Sequence, residues 1–270
     1  MVNMMELLNN IRLLDELAGK RTNIHQIHPL MKVLTTLMFL FVTVSFDKYQ
    51  LSGLLPLIFY PVVVITLADI PVVPILKRML FVMPFIIGIG VFNPFFDTNP
   101  VVILPWIQIS GGWISFFSIL VKGSLTILAA LLLIATTGIT RVASALRMMR
   151  IPKVFIMQLL LTYRYITLLI EEVGRALCAY SLRSPDTKGI KISNWGSLTG
   201  QLLMRTLERA QRVYHSMCCR GFTGEYRISK QNKMMIGDIA YFAGWSLFFV
   251  IVRFINIPAF LGLLMTGEGR

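Results

Sequence analysis

The sequence predicts an all-α, polytopic membrane protein, and its composition is the first reason. Of the 270 residues, 56% are hydrophobic and only 14% are charged, and the mean hydropathy is +0.71. Soluble domains carry about 25% charged residues, so this chain has too little charge to cover a surface that faces water. A disordered tail or a basic nucleic-acid arm needs the opposite composition and is excluded as the main identity.

Five apolar runs are the second reason, with four to six membrane spans as the expected range. A bilayer core about 30 Å thick is crossed by a helix of about 20 apolar residues. The first four runs are bounded by Pro, Gly, Asn or charged residues, as helix ends are. The runs cover residues 30–46, 51–67, 79–96, 113–138 and 236–255.

The segment before the first run is predicted to form an amphipathic helix. Its apolar residues recur at intervals of three and four, which places them on one helical face. Such a helix lies on the membrane surface or caps the bundle, and the sequence leaves both arrangements open. These apolar residues are Met4, Leu7, Leu8, Ile11 and Leu14.

The distribution of charge is the third reason, and it assigns a side of the membrane to each segment. The net charge is +13, and residues 139–235 alone carry 16 Lys and Arg against five acidic residues. The loop 68–78 carries Lys77 and Arg78, whereas 97–112 has no basic residue. The positive-inside rule therefore places the N-terminus and both basic segments in the cytoplasm of a plasma-membrane protein. The predicted divisions are 1–138 with four spans, 139–235 as a cytoplasmic domain, and 236–270 with the last span and a tail.

The cytoplasmic domain is too polar to hold a further span, but it contains two apolar stripes at helical spacing. The stripes predict helices over residues 153–183 and 198–220, with Pro185 and Gly221 as stop signals. The first stripe consists of Leu159, Thr162, Ile166, Leu169, Val173, Leu177 and Tyr180, and the second of Leu203, Leu207, Ala210, Tyr214 and Met217.

The two helix ends repeat one pattern: Glu, three residues, Arg, seven residues, and then Arg with a small residue. Glu and Arg four apart form ion pairs on a helix surface, and an Arg in the last turn is favoured by the helix dipole by about 0.3–1 kcal/mol. The dipole explains each end alone but not their likeness, which suggests two like partners or one symmetric dimer. The first copy is Glu171, Arg175, Arg183 and Ser184, and the second is Glu208, Arg212, Arg220 and Gly221, 37 residues later.

Four strings of the sequence carry a family resemblance. They are Leu-Thr-Tyr-Arg-Tyr at 161–165, Leu-Arg-Ser at 182–184, Leu-Glu-Arg-Ala-Gln-Arg-Val-Tyr at 207–214, and Arg-Gly-Phe at 220–222. These strings resemble the transmembrane T component of energy-coupling factor (ECF) transporters, and most of all its cobalt-type branch, CbiQ. His-Pro-Leu-Met-Lys at 28–32 is similar to the start of the family's first span, where an acidic residue more often precedes the Pro. The resemblance is specific within residues 160–222 and compositional elsewhere.

The resemblance implies a subunit that couples two cytoplasmic ATPases to a metal-specific, substrate-binding membrane subunit. In that family, two coupling helices end in Ala-Arg-Ser or Ala-Arg-Gly, and each Arg docks on one ATPase. Carried over, the docking groups are Arg183 with Ser184 and Arg220 with Gly221. The implied cargo is a transition metal ion, with cobalt preferred and nickel or a vitamin as alternatives. No cofactor is implied, and ATP hydrolysis belongs to the partners, since this chain has no Walker-type loop.

Leu182 and Cys219 depart from this family pattern, because Ala is usual before each Arg. Their larger side chains put the fit into an ATPase groove in doubt while leaving the Arg and the small residue in place. We expect Glu171, Arg175, Glu208 and Arg212 to support the two coupling helices.

Two other classes of function follow from the residues alone. Lys122 lies inside the fourth run, and an intramembrane charge is a functional candidate, so a membrane enzyme or channel centred on Lys122 is one alternative. The Lys122 stem is also long enough to bring its ammonium group to the outer interface. A nucleic-acid binder using the basic domain is the other alternative, and the apolar stripes of its helices disfavour it.

Overall fold

The computed structural model describes residues 13, 15–20, 22–48, 50–96, 100–103, 108–183, 192–224 and 234–254, with the backbone alone for 95, 96, 100–103 and 108–110. The chain folds as an all-α polytopic membrane protein, with one short antiparallel hairpin of strands β1 and β2. The helices are α1 Asn23–Gln26, α2 Pro29–Ser45, a 3₁₀ helix Ser52–Ile58, α3 Phe59–Leu67, α4 Val72–Gly90, α5 Asn93–Phe96, α6 Gly111–Thr137, α7 Ile139–Met148, α8 Lys153–Arg183, α9 Ile192–Cys219 and α10 Ile236–Phe254; the strands are β1 Pro100–Ile103 and β2 Gln108–Ser110.

Four of these helices, α4, α6, α8 and α10, are long and apolar enough to cross a membrane. Helix α2 and the segment Ser52–Leu67 are apolar but shorter. Helix α8 lies within 139–235, which the sequence analysis judged too polar for a span, yet an 18-residue window of α8 has a mean hydropathy of 1.4. The assignment of 139–235 to the cytoplasm stays a prediction. Residues 154–170 contain a single charged residue, Arg164, and this apolar stretch is concealed when the whole basic domain is averaged.

Two further boundaries differ from the sequence analysis because of proline. Helix α4 begins at Val72, directly after Pro71, so Lys77 and Arg78 lie in its first two turns and not in a loop. The run 51–67 is not one α-helix, because a 3₁₀ helix that contains Pro56 occupies its first half. Proline has no N–H to donate and fixes its φ angle, so it starts helices and interrupts regular α-helical hydrogen bonding.

The described chain divides into two compact units. Residues 17–138 with 232–270 form one, which we call the apolar unit, and residues 1–16 with 139–231 form the other, which we call the basic unit. The apolar unit has an aromatic centre, where the Phe39 ring lies 4.9 Å from Tyr60 and 5.4 Å from Phe249. Tilted and edge-to-face pairs of this kind add about 0.5–1.5 kcal/mol each to the burial of the rings.

A buried cation and a buried carboxylate connect helix ends within the apolar unit. Lys32 of α2 is 4% exposed, and its Nζ donates to the carbonyl oxygen of Thr136 in the last turn of α6 at 3.0 Å. Asp238 in the first turn of α10 is 8% exposed, and its Oδ1 accepts from the backbone N–H of His28 at 3.0 Å. Its Oδ2 accepts from the N–H of Met235, which gives α10 an N-terminal cap.

Lys122 also caps a helix. Its Nζ donates to the carbonyl oxygen of Phe46, the C-cap residue of α2, at 2.5 Å. Arg253 of α10 reaches the same end of α2, where its NH2 group donates to the carbonyl oxygen of Ser45 at 3.1 Å. Its guanidinium also lies 5.0 Å from the centroid of the Phe46 ring. Cations at a helix C-terminus are stabilising, so these contacts favour a structural role for Lys122 over a catalytic or channel-lining one.

Candidate functional site

The two long helices of the basic unit end at the arginines that the sequence pattern singled out. Helix α8 spans Lys153–Arg183, in agreement with the predicted 153–183. Helix α9 spans Ile192–Cys219 and therefore begins six residues before the predicted start at 198, while its end agrees. Arg183 is the last helical residue of α8 and Arg220 directly follows α9, and both are exposed. We call these two residues the arginine tips.

A Schellman motif terminates α9 and explains the small residue after Arg220. The N–H of Phe222 donates to the carbonyl oxygen of Met217 at 3.0 Å, and the N–H of Gly221 donates to that of Cys218 at 2.9 Å. Gly221 has a φ of 77°, a left-handed conformation that glycine adopts without steric cost. The chain thus leaves the helix at once, and Arg220 stays at the end. At the other tip, Ser184 lies outside the described residues, so its matching role remains a prediction.

An exposed side chain precedes each arginine tip. Leu182 is 78% exposed and Cys219 is exposed, and each directly precedes an arginine tip. An apolar side chain left in water at a helix end is available for burial against a partner. The departure from Ala therefore enlarges the surface that each tip presents.

One predicted ion pair is present, and a second joins the two helices in a way the sequence analysis missed. Glu208 and Arg212 form the predicted i,i+4 pair at 3.6 Å, with both side chains exposed. Glu172 of α8, whose side chain is only 10% exposed, lies 3.3 Å from Arg209 of α9. Glu172 follows Leu169 of the apolar stripe by three residues, and a nearly buried carboxylate needs a charged or hydrogen-bonding partner. The contact between Glu171 and Arg175 remains a prediction.

An apolar groove of about 390 Å³ lies between the first half of α8 and the second half of α9. Members of both predicted stripes line it, so the stripes face each other across the groove. Tyr214 at its edge has a pKa raised above the usual value by a hydrogen bond with the Cys218 thiol. The stripe residues in the lining are Thr162, Ile166 and Leu169 of α8 and Ala210, Tyr214 and Met217 of α9.

No metal-holding cluster is present in the part of the chain that the structure describes: His, Cys, Asp and Glu form no group of three or more there. His28 instead caps α2, since its Nδ1 accepts from the N–H of Leu30 at 3.3 Å.

Comparisons with known proteins identify the family of this chain. The sequence matches the family of the cobalt transport protein CbiQ over residues 20–233. It is 28% identical over 186 residues to an uncharacterized protein of Methanocaldococcus jannaschii, covering 65% of this chain and 63% of that protein. It is 32% identical over 97 residues to the cobalt transport protein CbiQ of Rhodobacter capsulatus, covering 36% of this chain and 40% of that protein. The matched regions thus span less than two thirds of each relative, whereas the family match covers most of this chain. The chain belongs to the CbiQ family of cobalt transport proteins.

Proposed function

We propose that this chain is the transmembrane coupling subunit of an ECF-type importer for a transition metal ion, with cobalt as the preferred cargo. Membership of the CbiQ family supports a membrane component of cobalt transport. The observation that carries the finer proposal is the pair of arginine tips, exposed at the ends of two long helices of one unit. Each tip docks on one of two cytoplasmic ATPases.

The chemistry of the tips suits such docking. A guanidinium is always charged and presents five N–H donors in a planar fork, which fits the carboxylates and carbonyls of an acidic groove. The C-terminal position adds the negative end of a helix dipole behind the charge, which favours the cation at the tip. Two such tips match two copies of one ATPase fold.

Motion of the tips reaches the rest of the basic unit through the contact between α8 and α9. The ion pair of Glu172 and Arg209 joins the two helices. A carboxylate that is only 10% exposed is destabilised when its partner withdraws. The helices therefore move together when the ATPases close. This pair of helices is the element that transmits ATP-driven motion to the substrate-binding membrane subunit.

The surface for that membrane subunit is the apolar groove together with the exposed apolar face of α9. Helix α9 has no buried residue, and Leu203 and Leu207 of its stripe are 59% and 51% exposed. An apolar face of this length is stable when it is covered by lipid or by a partner. We assign it to the substrate-binding subunit, which selects the ion. Selection by the partner leaves nickel or a vitamin as the alternative cargo.

The location that this function requires follows the charge distribution. The basic domain at 139–235 is placed in the cytoplasm by the positive-inside rule, where both ATPases have access to Arg183 and Arg220. This placement includes helix α8, whose apolar stretch at 154–170 is then covered by lipid or by a partner subunit and does not cross the bilayer.

Co-purification with the two ATPases tests the proposal. An interface Arg contributes about 2 kcal/mol or more, so Arg183→Ala or Arg220→Ala weakens ATPase binding by about 30-fold, and the double variant abolishes metal uptake by the assembled complex. Arg164→Ala, an exposed arginine of α8 away from the tips, is the matched control and retains binding. An unchanged ATPase yield from the double variant would refute the coupling role.

A further inference from the structure

A second cleft of the basic unit, distinct from the apolar groove, is lined by three arginines. It lies between the C-terminal half of α8 and the N-terminal half of α9 and has a volume of about 540 Å³. We call it the arginine cleft after Arg175 and Arg183 of α8 and Arg205 of α9. No carboxylate belongs to its lining within the described residues. Three guanidinium groups in one lining favour the binding of an anion.

Neutral donors complete the lining of the arginine cleft. The amide Nδ2 of Asn194 donates to the Tyr180 hydroxyl at 3.0 Å. Because that hydroxyl accepts one hydrogen bond, its own hydrogen is free to point at an anion in the cleft. Ser197 and Gln201 of α9 add further polar groups. Arginine forks with added hydroxyl and amide donors are the set that recognises a phosphate group.

The apolar residues in the lining of the cleft and its position along α8 indicate which phosphate compound it binds. Ala176, Ala179 and Leu198 in the lining give an apolar surface beside the arginines, which suits a ligand with a hydrocarbon stem. Along α8, residues 154–170 hold one charged residue, whereas four charged residues fall within 171–183, so the cleft lies at the polar end of a helix whose other end is apolar. A helix of this kind is held at the membrane interface, where lipid headgroups lie.

We propose that the arginine cleft binds the phosphodiester headgroup of an anionic phospholipid. Arg175 and Arg205 hold the phosphate, the Tyr180 hydroxyl donates to it, and the alanine floor accommodates the glycerol and the first methylenes. The anionic cytoplasmic leaflet supplies this ligand at high local concentration. Binding at this site does not depend on ATPase docking, although Arg183 at the rim places the lipid next to one arginine tip.

The test is native mass spectrometry of the full chain purified with equal amounts of phosphatidylglycerol and phosphatidylcholine. The wild type retains phosphatidylglycerol in preference, and Arg175→Gln/Arg205→Gln reduces that retention at least fivefold. The control Arg150→Gln/Arg164→Gln removes the same charge from exposed positions of the basic unit outside the cleft and retains the lipid. Equal loss in both double variants would mean a general charge effect and would overturn the proposal.

Two added arms separate the lipid from other occupants. Inorganic phosphate at millimolar concentration leaves phosphatidylglycerol retention unchanged if the lipid is the ligand, whereas full displacement assigns the cleft to free phosphate and overturns the proposal. Arg220→Ala, outside the cleft, loses ATPase binding under the proposed function but keeps the lipid. If Arg175→Gln/Arg205→Gln loses the ATPases and keeps the lipid, the cleft is a protein-docking surface and the lipid assignment is wrong.

Discussion

Helix ends are used in opposite ways in the two units of this protein. In the apolar unit, the C-terminal carbonyls of α2 and α6 receive cations from other helices, namely Lys122, Arg253 and Lys32. In the basic unit, Arg183 and Arg220 stand at the ends of their own helices, and both are exposed. The helix dipole favours a cation in both arrangements, so the dipole alone does not distinguish them.

The difference teaches what each cation is for. A cation that arrives from another helix joins two elements, and its loss weakens packing. A cation at the end of its own helix joins no second element among the described residues of the unit, so its charge and donors remain for a partner. A cation at a helix C-terminus is usually explained by its favourable interaction with the helix dipole. That explanation accounts for the cations of the apolar unit, but it does not account for the exposure of both arginine tips.

Removing the buried cation of the apolar unit is the strongest test of this comparison. Lys32→Met keeps the side-chain length, but it leaves the Thr136 carbonyl without the donor that the structure places at 3.0 Å. Hydrogen bonds to charged groups contribute about 1.5–3 kcal/mol, so we expect a loss of about 2 kcal/mol in unfolding free energy. The thermal midpoint of the detergent-solubilised chain measures this loss. Lys122→Met, at a less buried cap, should lower the midpoint by less, and a reversed order would contradict the assignment.

The end of α9 gives an intermediate effect that depends on backbone geometry. Gly221 has a φ of 77°, and among the described residues beyond its two chain neighbours no heavy atom lies within 4 Å of the position that a Cβ would take there. A side chain at position 221 is therefore strained by the positive φ angle and not by contact with neighbouring atoms. Gly221→Val should destabilise the end of α9 by about 1–2 kcal/mol and weaken ATPase binding through Arg220.

Asparagine separates the two explanations at that position. Gly221→Asn introduces a Cβ as well, but Asn tolerates the left-handed conformation, so this variant should keep most of the helix end and of ATPase binding. Hydrogen exchange at the amides of Gly221 and Phe222 follows the Schellman hydrogen bonds directly. Equal exchange rates in the Val and Asn variants would show that the turn does not position Arg220.

The elements predicted from sequence are those fixed by local signals. The apolar stripes and the stop signal at Gly221 gave the bounds 153–183 and the end of α9, because helical periodicity and a left-handed glycine act within a few residues. The apolar part of α8 was missed because it adjoins charged residues, and averaging over the domain conceals it. Lys77 and Arg78 were assigned to a loop because two adjacent charges are typical of a loop. The first two turns of a helix also accommodate them.

Long-range contacts account for the rest. The partner of Lys122 is 76 residues away in the chain, and no pattern around either residue indicates that pairing. The contact of Glu172 with Arg209 joins two helices and likewise depends on how they pack. The repeat drew attention to Glu171 and Arg175, since spacing is visible in a sequence and burial is not. Candidate docking residues were therefore predictable, whereas the contacts that hold their helices together were not.

The smallest effect on stability belongs to the arginine tips. Arg183→Ala and Arg220→Ala each remove an exposed cation, and the loss of a favourable dipole interaction is about 0.3–1 kcal/mol at most at an exposed site. The double variant should keep a thermal midpoint close to that of the wild type while it loses the ATPases. A midpoint that falls as far as that of Lys32→Met would show that the tips are joined to other elements of this chain, as the cations of the apolar unit are. The cations at both kinds of helix end would then serve the packing of this chain, and the exposure of Arg183 and Arg220 would no longer indicate a partner.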